Sequence, residues 1–189
     1  MNFTSKLPSS ETTIFTVMSA LAKEHNAINL GQGFPDFDNS PELRRLVEKY
    51  LNGGKNQYCP MGGLLELRQA IASKIQRAYG IYPQPETEIC ITAGATQALF
   101  TAIVAFVNQG EEVIIFEPAY DCYAPSIHIA GGVPKPYSLT YPGYTIDWNQ
   151  VEGMITEKSR MIIINTPHNP TGTVLSAQYI LALVHLVSD

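Results

Sequence analysis

Hydrophobic positions along the chain follow two patterns, short continuous runs and stripes that recur every three or four residues. The short runs are rich in β-branched residues and predict buried strands at 89–92, 113–116 and 161–164. The striped stretches predict amphipathic helices. These helices are expected at 12–25, 41–51, 64–79, 96–108 and 176–187, with a further one after Asp147. Strand, helix and strand in succession across 89–116 predict a βαβ unit, and therefore an α/β fold with a parallel sheet.

Each predicted strand is followed by a loop of small or polar residues. The loops are AGATQ at 93–97, EPAYDCY at 117–123 and NTPHNPTG at 165–172. Because ligands of open parallel sheets gather at the carboxyl ends of the strands, these loops are candidates for one binding site.

The first of these loops leads directly into an apolar helix opened by Thr96 and Gln97. The first N–H groups of a helix lack partners within it, so this geometry suits an anion such as phosphate. A packing turn of small residues explains the stretch equally well when it is taken alone. Tyr120 could lie over a ligand at this turn, or simply pack against the core. In the third loop two prolines stiffen the chain around Asn169, although NPTG alone is a common turn, and His168 is interpreted as a loop residue.

Composition narrows the functional classes. The chain has 189 residues, a net charge of -5 and no basic run, which argues against nucleic acid as a partner. The longest apolar stretch, 98–107, is too short to cross a bilayer, so no membrane partner is expected. Three cysteines and an N-terminus without an apolar signal region favour the cytoplasm. The four histidines have no metal-ligand spacing, so no metal site is expected.

Five motifs in order now carry a family resemblance. They are GQGFPDF at 31–37, NQYCPMGG at 56–63 and the three strand-end loops. Together they resemble the class I aminotransferases, which are pyridoxal-phosphate enzymes of fold type I. The similarity extends from about Lys6 and is greatest to the branch that contains kynurenine aminotransferases and bacterial methionine aminotransferases.

The resemblance implies the fold in more detail. It predicts an incomplete three-layer large domain, with a mostly parallel sheet between helices. An N-terminal arm and a small-domain segment are expected at 1–40, and the first part of the large domain, which binds the cofactor, at 41–189.

The resemblance also implies a role for each loop. Gly94, Ala95 and Thr96 correspond to the turn that binds the phosphate of pyridoxal 5'-phosphate. Tyr120 corresponds to the aromatic residue that stacks on the pyridine ring, and Asn169 to the amide that hydrogen-bonds the cofactor's 3-hydroxyl oxygen. Donors for a phosphate, an aromatic face for a planar ring and an amide for a phenolate oxygen are chemically suitable.

Two further positions carry roles implied by the same resemblance. Gly33 corresponds to the backbone that contacts the substrate carboxylate, and Asn169 lies near the substrate as well. Tyr58 corresponds to a tyrosine that reaches the phosphate of a neighbouring subunit, so a homodimer is expected for the full-length enzyme.

The central catalytic groups of the family do not match residues of this chain. The Schiff-base lysine and the pyridine-pairing aspartate are expected downstream of Asp189, as is the arginine that binds the substrate carboxylate. Lys135 and Lys158 lie away from the strand-end loops, and Asp189 directly follows a predicted helix rather than a strand. The 189 residues alone are therefore expected to be a truncated, inactive chain.

The resemblance implies transfer of an amino group between an amino acid and a 2-oxo acid. Methionine, aromatic amino acids and kynurenine are the favoured donors. The alternatives are a cysteine-conjugate β-lyase of the same fold, which would release ammonia and pyruvate, and a non-catalytic fragment. A simple nucleotide-binding domain is disfavoured, because the chain has neither a complete G-x-G-x-x-G nor a P-loop pattern.

Overall fold

A computed structural model describes residues 5–7, 12–33 and 35–188. Phe34, in the centre of the GQGFPDF motif, and Asp189 therefore lie outside the described residues. The chain forms two compact units, one within 9–91 and the other chiefly within 92–189.

The unit within 9–91 contains helices α1 (Ile14–Glu24), α2 (Pro41–Asn52) and α3 (Leu65–Tyr79). All three were predicted. Thr13 caps α1, since its hydroxyl accepts a hydrogen bond from the Thr16 N–H. Gly80 ends α3 in the left-handed conformation, with φ of 75°.

The unit within 92–189 alternates helices and strands. Its elements are α4 (Ala95–Phe106), β1 (Glu112–Glu117), α5 (Tyr123–Ala130), β2 (Val133–Ser138), α6 (Trp148–Met154), β3 (Ser159–Ile163) and α7 (Ala177–Ser188). The strands form a parallel sheet in the order β2-β1-β3. The predicted parallel sheet is thus confirmed, and β1 lies at its centre.

The central strand β1 supplies side chains to both faces of the sheet. Val113 and Ile115 pack on one face against residues of α4 and α5, whereas Ile114 and Phe116 pack on the other. The second face is covered by α6 and α7, whose contacting residues include Trp148, Val151, Tyr179 and Leu186. The result is the expected three-layer arrangement of helices, sheet and helices.

The strand predicted at 89–92 is wrong, because these residues have no strand conformation in the structure. A strand requires a neighbour that completes its ladder of hydrogen bonds. Here the Ile91 N–H instead donates to the carbonyl of Gly62 at 3.1 Å, within an irregular segment. The helix that follows begins at Ala95 and ends at Phe106, within about two residues of the predicted ends.

Two prolines in β2 restrict how this strand can pair. Val133 donates its N–H to Glu111 at 2.8 Å, and Leu139 donates to Glu117 at the same distance. Successive N–H groups along a strand point to opposite sides, so the backbone nitrogens of Pro134 and Pro136 point away from β1. Their missing N–H groups therefore cost no bond in this sheet, and β2 occupies an edge among the described strands.

Candidate cofactor-binding site

The turn before α4 has a conformation that glycine alone adopts easily. Gly94 is the N-cap residue, with φ of 89° and ψ of 169°. Its N–H donates to the Thr92 carbonyl at 2.9 Å, while the Thr92 hydroxyl donates to the Gly94 carbonyl at 3.0 Å. The Ala93 N–H donates to the side-chain oxygen of Gln97. These bonds fix the turn before any ligand is added.

The next N–H groups are available to a ligand. Among the described residues no acceptor is found for the N–H groups of Ala95, Thr96 and Gln97, which form the first turn of α4. All three residues are exposed. Gly94 therefore contributes a backbone conformation, and the residues after it contribute the free donors.

Tyr120 reaches this helix end from the carboxyl end of β1. Its hydroxyl lies 3.0 Å from the Thr96 hydroxyl. The Tyr120 ring is half-buried and packs edge-on against Tyr123, with ring centroids 5.9 Å apart. The two loops thus meet through a direct side-chain contact, although the loop at 93–97 does not follow a strand as predicted.

The loop that carries Asn169 follows β3, whose carboxyl end lies at the same sheet edge as that of β1. The Asn169 N–H donates to the side-chain oxygen of Asn165 at 2.7 Å. The Gly172 N–H donates to the His168 carbonyl at 2.7 Å, which closes the loop on itself. Asn169 is exposed, so its amide is free to meet a ligand.

His168 anchors this loop rather than facing an open site. Its Nδ1 atom lies 2.9 Å from the Thr171 hydroxyl, and its N–H group donates to the Thr173 carbonyl at 2.8 Å. Burial lowers the pKa of the His168 imidazole below its ordinary value, and a hydrogen bond with the Phe116 backbone opposes part of that change. These contacts agree with its interpretation as a loop residue.

Gly33 and Tyr58 belong to the other compact unit, within 9–91. A Cβ atom placed on Gly33 would meet no heavy atom within 4 Å. Tyr58 is wholly exposed, with a relative accessibility of 105%. Their implied roles remain predictions.

Both lysines considered from the sequence contact Glu112, at the amino end of β1, whereas Tyr120 follows the carboxyl end of that strand. Lys135 places its Nζ atom 3.5 Å from a carboxylate oxygen of Glu112, the first residue of β1. Lys158 precedes β3, and its carbonyl accepts the Glu112 N–H at 2.8 Å. Neither lysine lies at the edge where Thr96 and Tyr120 meet.

Neither a metal-binding cluster nor a membrane-spanning helix is found in the part of the chain that the structure describes. It contains no cluster of three or more His, Cys, Asp or Glu side chains suited to a metal ion. Its helices also include none with the length and apolar character needed to cross a membrane.

Sequence reasoning found the loops but missed the residues that shape them. Gln97 and Asn165 each accept a hydrogen bond from a backbone N–H in a loop that contains predicted cofactor-binding residues. An asparagine at the end of a strand, four residues before Asn169, is a signal for such a turn, because Asn side chains often bond nearby backbone. The arrangement as a whole offers free N–H donors, an aromatic ring and an amide along one edge, which suits a planar ligand with an anionic group.

Comparisons with known proteins agree with this chemistry. The family model described as "Aminotransferase class I and II" matches residues 25–189. Methionine aminotransferase of Escherichia coli is 51% identical over 170 residues, which are 90% of this chain and 44% of that protein. A probable N-succinyldiaminopimelate aminotransferase of Mycobacterium tuberculosis is 42% identical over 184 residues, 96% of this chain and 46% of that protein.

A solved structure is similar over the whole chain. YbdL from Escherichia coli, described as having a methionine aminotransferase function, superposes with a TM-score of 0.94 at 46% identity. The match covers 100% of this chain and 49% of that one. The chain therefore spans about half of the length of the proteins that it matches.

Proposed function

Because the chain belongs to the class I and II aminotransferases, we propose that its residues form the cofactor-binding part of an enzyme that exchanges amino groups between amino acids and 2-oxo acids. Enzymes of this family depend on pyridoxal 5'-phosphate. The observation that carries the proposal is the 3.0 Å contact between Thr96 and Tyr120. It joins a helix end with free N–H groups to an aromatic ring at the ligand-binding edge of a parallel sheet.

The residues at this edge fit the phosphate end of the cofactor. Gly94 supplies the backbone conformation that opens the turn, and Ala95 and Thr96 have N–H groups without an acceptor among the described residues. A phosphate would accept these hydrogen bonds and be stabilised by the partial positive charge of the helix end.

Two side chains fit the ring of the cofactor. Tyr120 would stack on the pyridine ring, and Asn169 would donate a hydrogen bond to the 3-hydroxyl oxygen. The Asn165 contact to the Asn169 backbone holds that loop in place. When bound, the cofactor supplies an aldehyde that accepts the amino group and a ring that takes up electrons.

The preferred amino acid is proposed from similarity. Methionine is the first candidate, because the methionine aminotransferase is 51% identical over 90% of this chain. Aromatic amino acids and kynurenine are further candidate amino donors, proposed from the sequence motifs. Gly33 would contact the substrate carboxylate through its backbone, and Asn169 would be a second substrate-binding residue.

The assembly and its location are parts of the same proposal. A homodimer would let Tyr58 reach the phosphate of the neighbouring subunit, and its full exposure in the single chain leaves it free for that contact. Three free cysteines favour the reducing cytoplasm. The division into an N-terminal segment at 1–40 and a large-domain portion at 41–189 also remains a prediction.

Product analysis of the full-length protein tests the function. With pyridoxal 5'-phosphate, methionine and a panel of 2-oxo acids, we expect the oxo acid of methionine and a new amino acid in equal amounts. The β-lyase alternative, which the relatives reported above do not favour, would instead convert a cysteine conjugate and water into ammonia, pyruvate and a thiol, with no 2-oxo acid added as co-substrate. A full-length protein that binds the cofactor but yields neither product set would refute the proposal.

A further inference from the structure

We propose that the Tyr120 hydroxyl is a positioning group for the phosphate end of the cofactor, because it donates to the Thr96 hydroxyl and leaves the Thr96 proton to bond the phosphate. This inference rests on the proposed function. It assigns to Tyr120 a role separate from ring stacking, and to Thr96 a side-chain donor in addition to its N–H group.

The contact that suggests this role joins two distant parts of the chain. The two hydroxyl oxygens lie 3.0 Å apart, although the residues are 24 positions apart in sequence. Thr96 is the second residue of α4, and Tyr120 follows β1. The contact therefore crosses from the helix end to the sheet edge, where the phosphate is expected.

Relative acidity decides which hydroxyl donates. A phenol hydroxyl is a stronger hydrogen-bond donor than an aliphatic alcohol, so Tyr120 is the better donor and Thr96 the better acceptor. The Thr96 proton must then point to a different acceptor. Among the described residues no second partner of the Thr96 hydroxyl is found.

The surroundings of Thr96 place that proton near an anion site. Thr96 is exposed, and its own N–H and that of Ala95 have no acceptor among the described residues. An anion at this helix end would accept bonds from both N–H groups and from the Thr96 hydroxyl. Accepting a bond from Tyr120 polarises the Thr96 hydroxyl, which makes it a stronger donor.

The ring of Tyr120 has a support that does not need its hydroxyl. It packs against Tyr123 at a centroid distance of 5.9 Å and an interplanar angle of 75°. Tyr120→Phe should therefore keep the ring in place while it frees the Thr96 hydroxyl to rotate. This separation allows the hydroxyl to be tested apart from stacking.

The test compares two ligands that differ only in the phosphate. The dissociation constants of pyridoxal 5'-phosphate and of pyridoxal are measured on the full-length apo-protein by absorbance titration, without any turnover. Their ratio is the phosphate preference, in which effects on the shared aldehyde and ring cancel. Wild type, Tyr120→Phe, Thr96→Val, Thr96→Ser and the Tyr120→Phe/Thr96→Val double variant are compared.

We expect Thr96→Val to lower the phosphate preference about tenfold, because it removes a hydrogen bond to a charged group. Tyr120→Phe should lower it roughly three- to tenfold, since the Thr96 donor remains but is no longer oriented. Thr96→Ser should retain the preference. The double variant should be no worse than Thr96→Val, because the two hydroxyls act as one unit.

Tyr123→Phe is the matched control, because it removes a hydroxyl from the neighbouring ring and should leave the preference unchanged. Equal weakening of both ligands by Tyr120→Phe would assign the hydroxyl to ring placement and overturn the inference. The inference would also be overturned if the losses of phosphate preference in the two single variants multiplied in the double variant, or if Tyr120→Phe left the preference unchanged. A wild-type protein with no phosphate preference would instead refute the proposed phosphate site itself.

Discussion

Gly94 has backbone angles that only glycine adopts without strain, with φ of 89° and ψ of 169°. A Cβ atom at this position would meet no heavy atom within 4 Å, so space is not the constraint. Gly94→Ala should therefore act through backbone strain, lower the free energy of unfolding by about 1–3 kcal/mol and weaken cofactor binding. Urea denaturation and cofactor titration of the full-length protein measure both effects.

Gly153 in α6 offers the control for this substitution. A Cβ atom there also meets open space, but Gly153 lacks the positive φ that marks Gly94. Gly153→Ala should be neutral or should stabilise the protein by up to about 1 kcal/mol, because alanine favours a helix. Equal losses in the two variants would mean that the Gly94 conformation is not the cause.

His168 should make stability depend on pH. Burial holds the pKa of its imidazole below the ordinary value, so the unfolded chain binds this proton more readily than the folded chain does. Stability is then lost as the pH falls below about 6.5 towards the lower folded-state pKa, and it is retained above that range.

Replacing His168 by Gln should flatten the pH dependence of the urea midpoint between about pH 6.5 and the lower pKa. If the pH dependence of the urea midpoint is unchanged in His168→Gln, His168 is not its source.

At the residue scale, the sequence predicted which loops would meet but not the bonds that join them. Thr96 and Tyr120 were named for their positions after predicted strands, whereas their 3.0 Å contact depends on how α4 packs beside β1. That packing is set by buried side chains of α4 and of one face of β1, and spacing along the chain does not reveal it. The roles of Gln97 and Asn165 were missed for a different reason, since each side chain bonds a backbone N–H four residues away and the sequence analysis did not consider such local bonds.

At the element scale, β2 allows a prediction about proline. Pro134 and Pro136 are tolerated because their backbone nitrogens face away from β1, whereas the Val133 N–H donates to Glu111 at 2.8 Å. Val133→Pro should remove this bond and lower the free energy of unfolding by about 1–3 kcal/mol. The Ser138 nitrogen faces away from β1, so Ser138→Pro should lower the free energy of unfolding clearly less. Val133→Ala measures the effect of losing the valine side chain while the N–H is kept. Equal losses in the two proline variants, measured by urea denaturation, would contradict the pairing.

Helices and strands were predicted well where hydrophobic pattern and capping residues agreed. Asp147 shows this, since a helix was predicted directly after it and its side chain accepts a bond from the Asn149 N–H and another from the Gln150 amide. The failure at 89–92 has a different origin. Its composition suits a strand, but a strand exists only where another backbone pairs with it, and that partner is not a property of the segment itself.

At the scale of the whole molecule, the sheet has an open side next to β3. Among the described residues, β3 pairs with β1 alone. A groove beside it is lined by apolar residues of β3 and α7, including Met161, Ile162, Leu186 and Val187. Val187 is 61% exposed, which is high for an apolar residue of a helix that covers a sheet. An unpaired strand edge beside exposed apolar surface is a site for association between chains.

A polypeptide consisting of residues 1–189 alone should therefore associate and should not transaminate. Light scattering and size-exclusion chromatography should show larger species that grow with concentration. A cofactor assay should show no product from methionine, because neither Lys135 nor Lys158 lies at the edge where Thr96 and Tyr120 meet. Val187→Lys would place a charge beside the open edge and should reduce association, whereas Lys23→Ala in α1 should not. A monomeric polypeptide of this length that converts methionine would contradict both parts of the prediction.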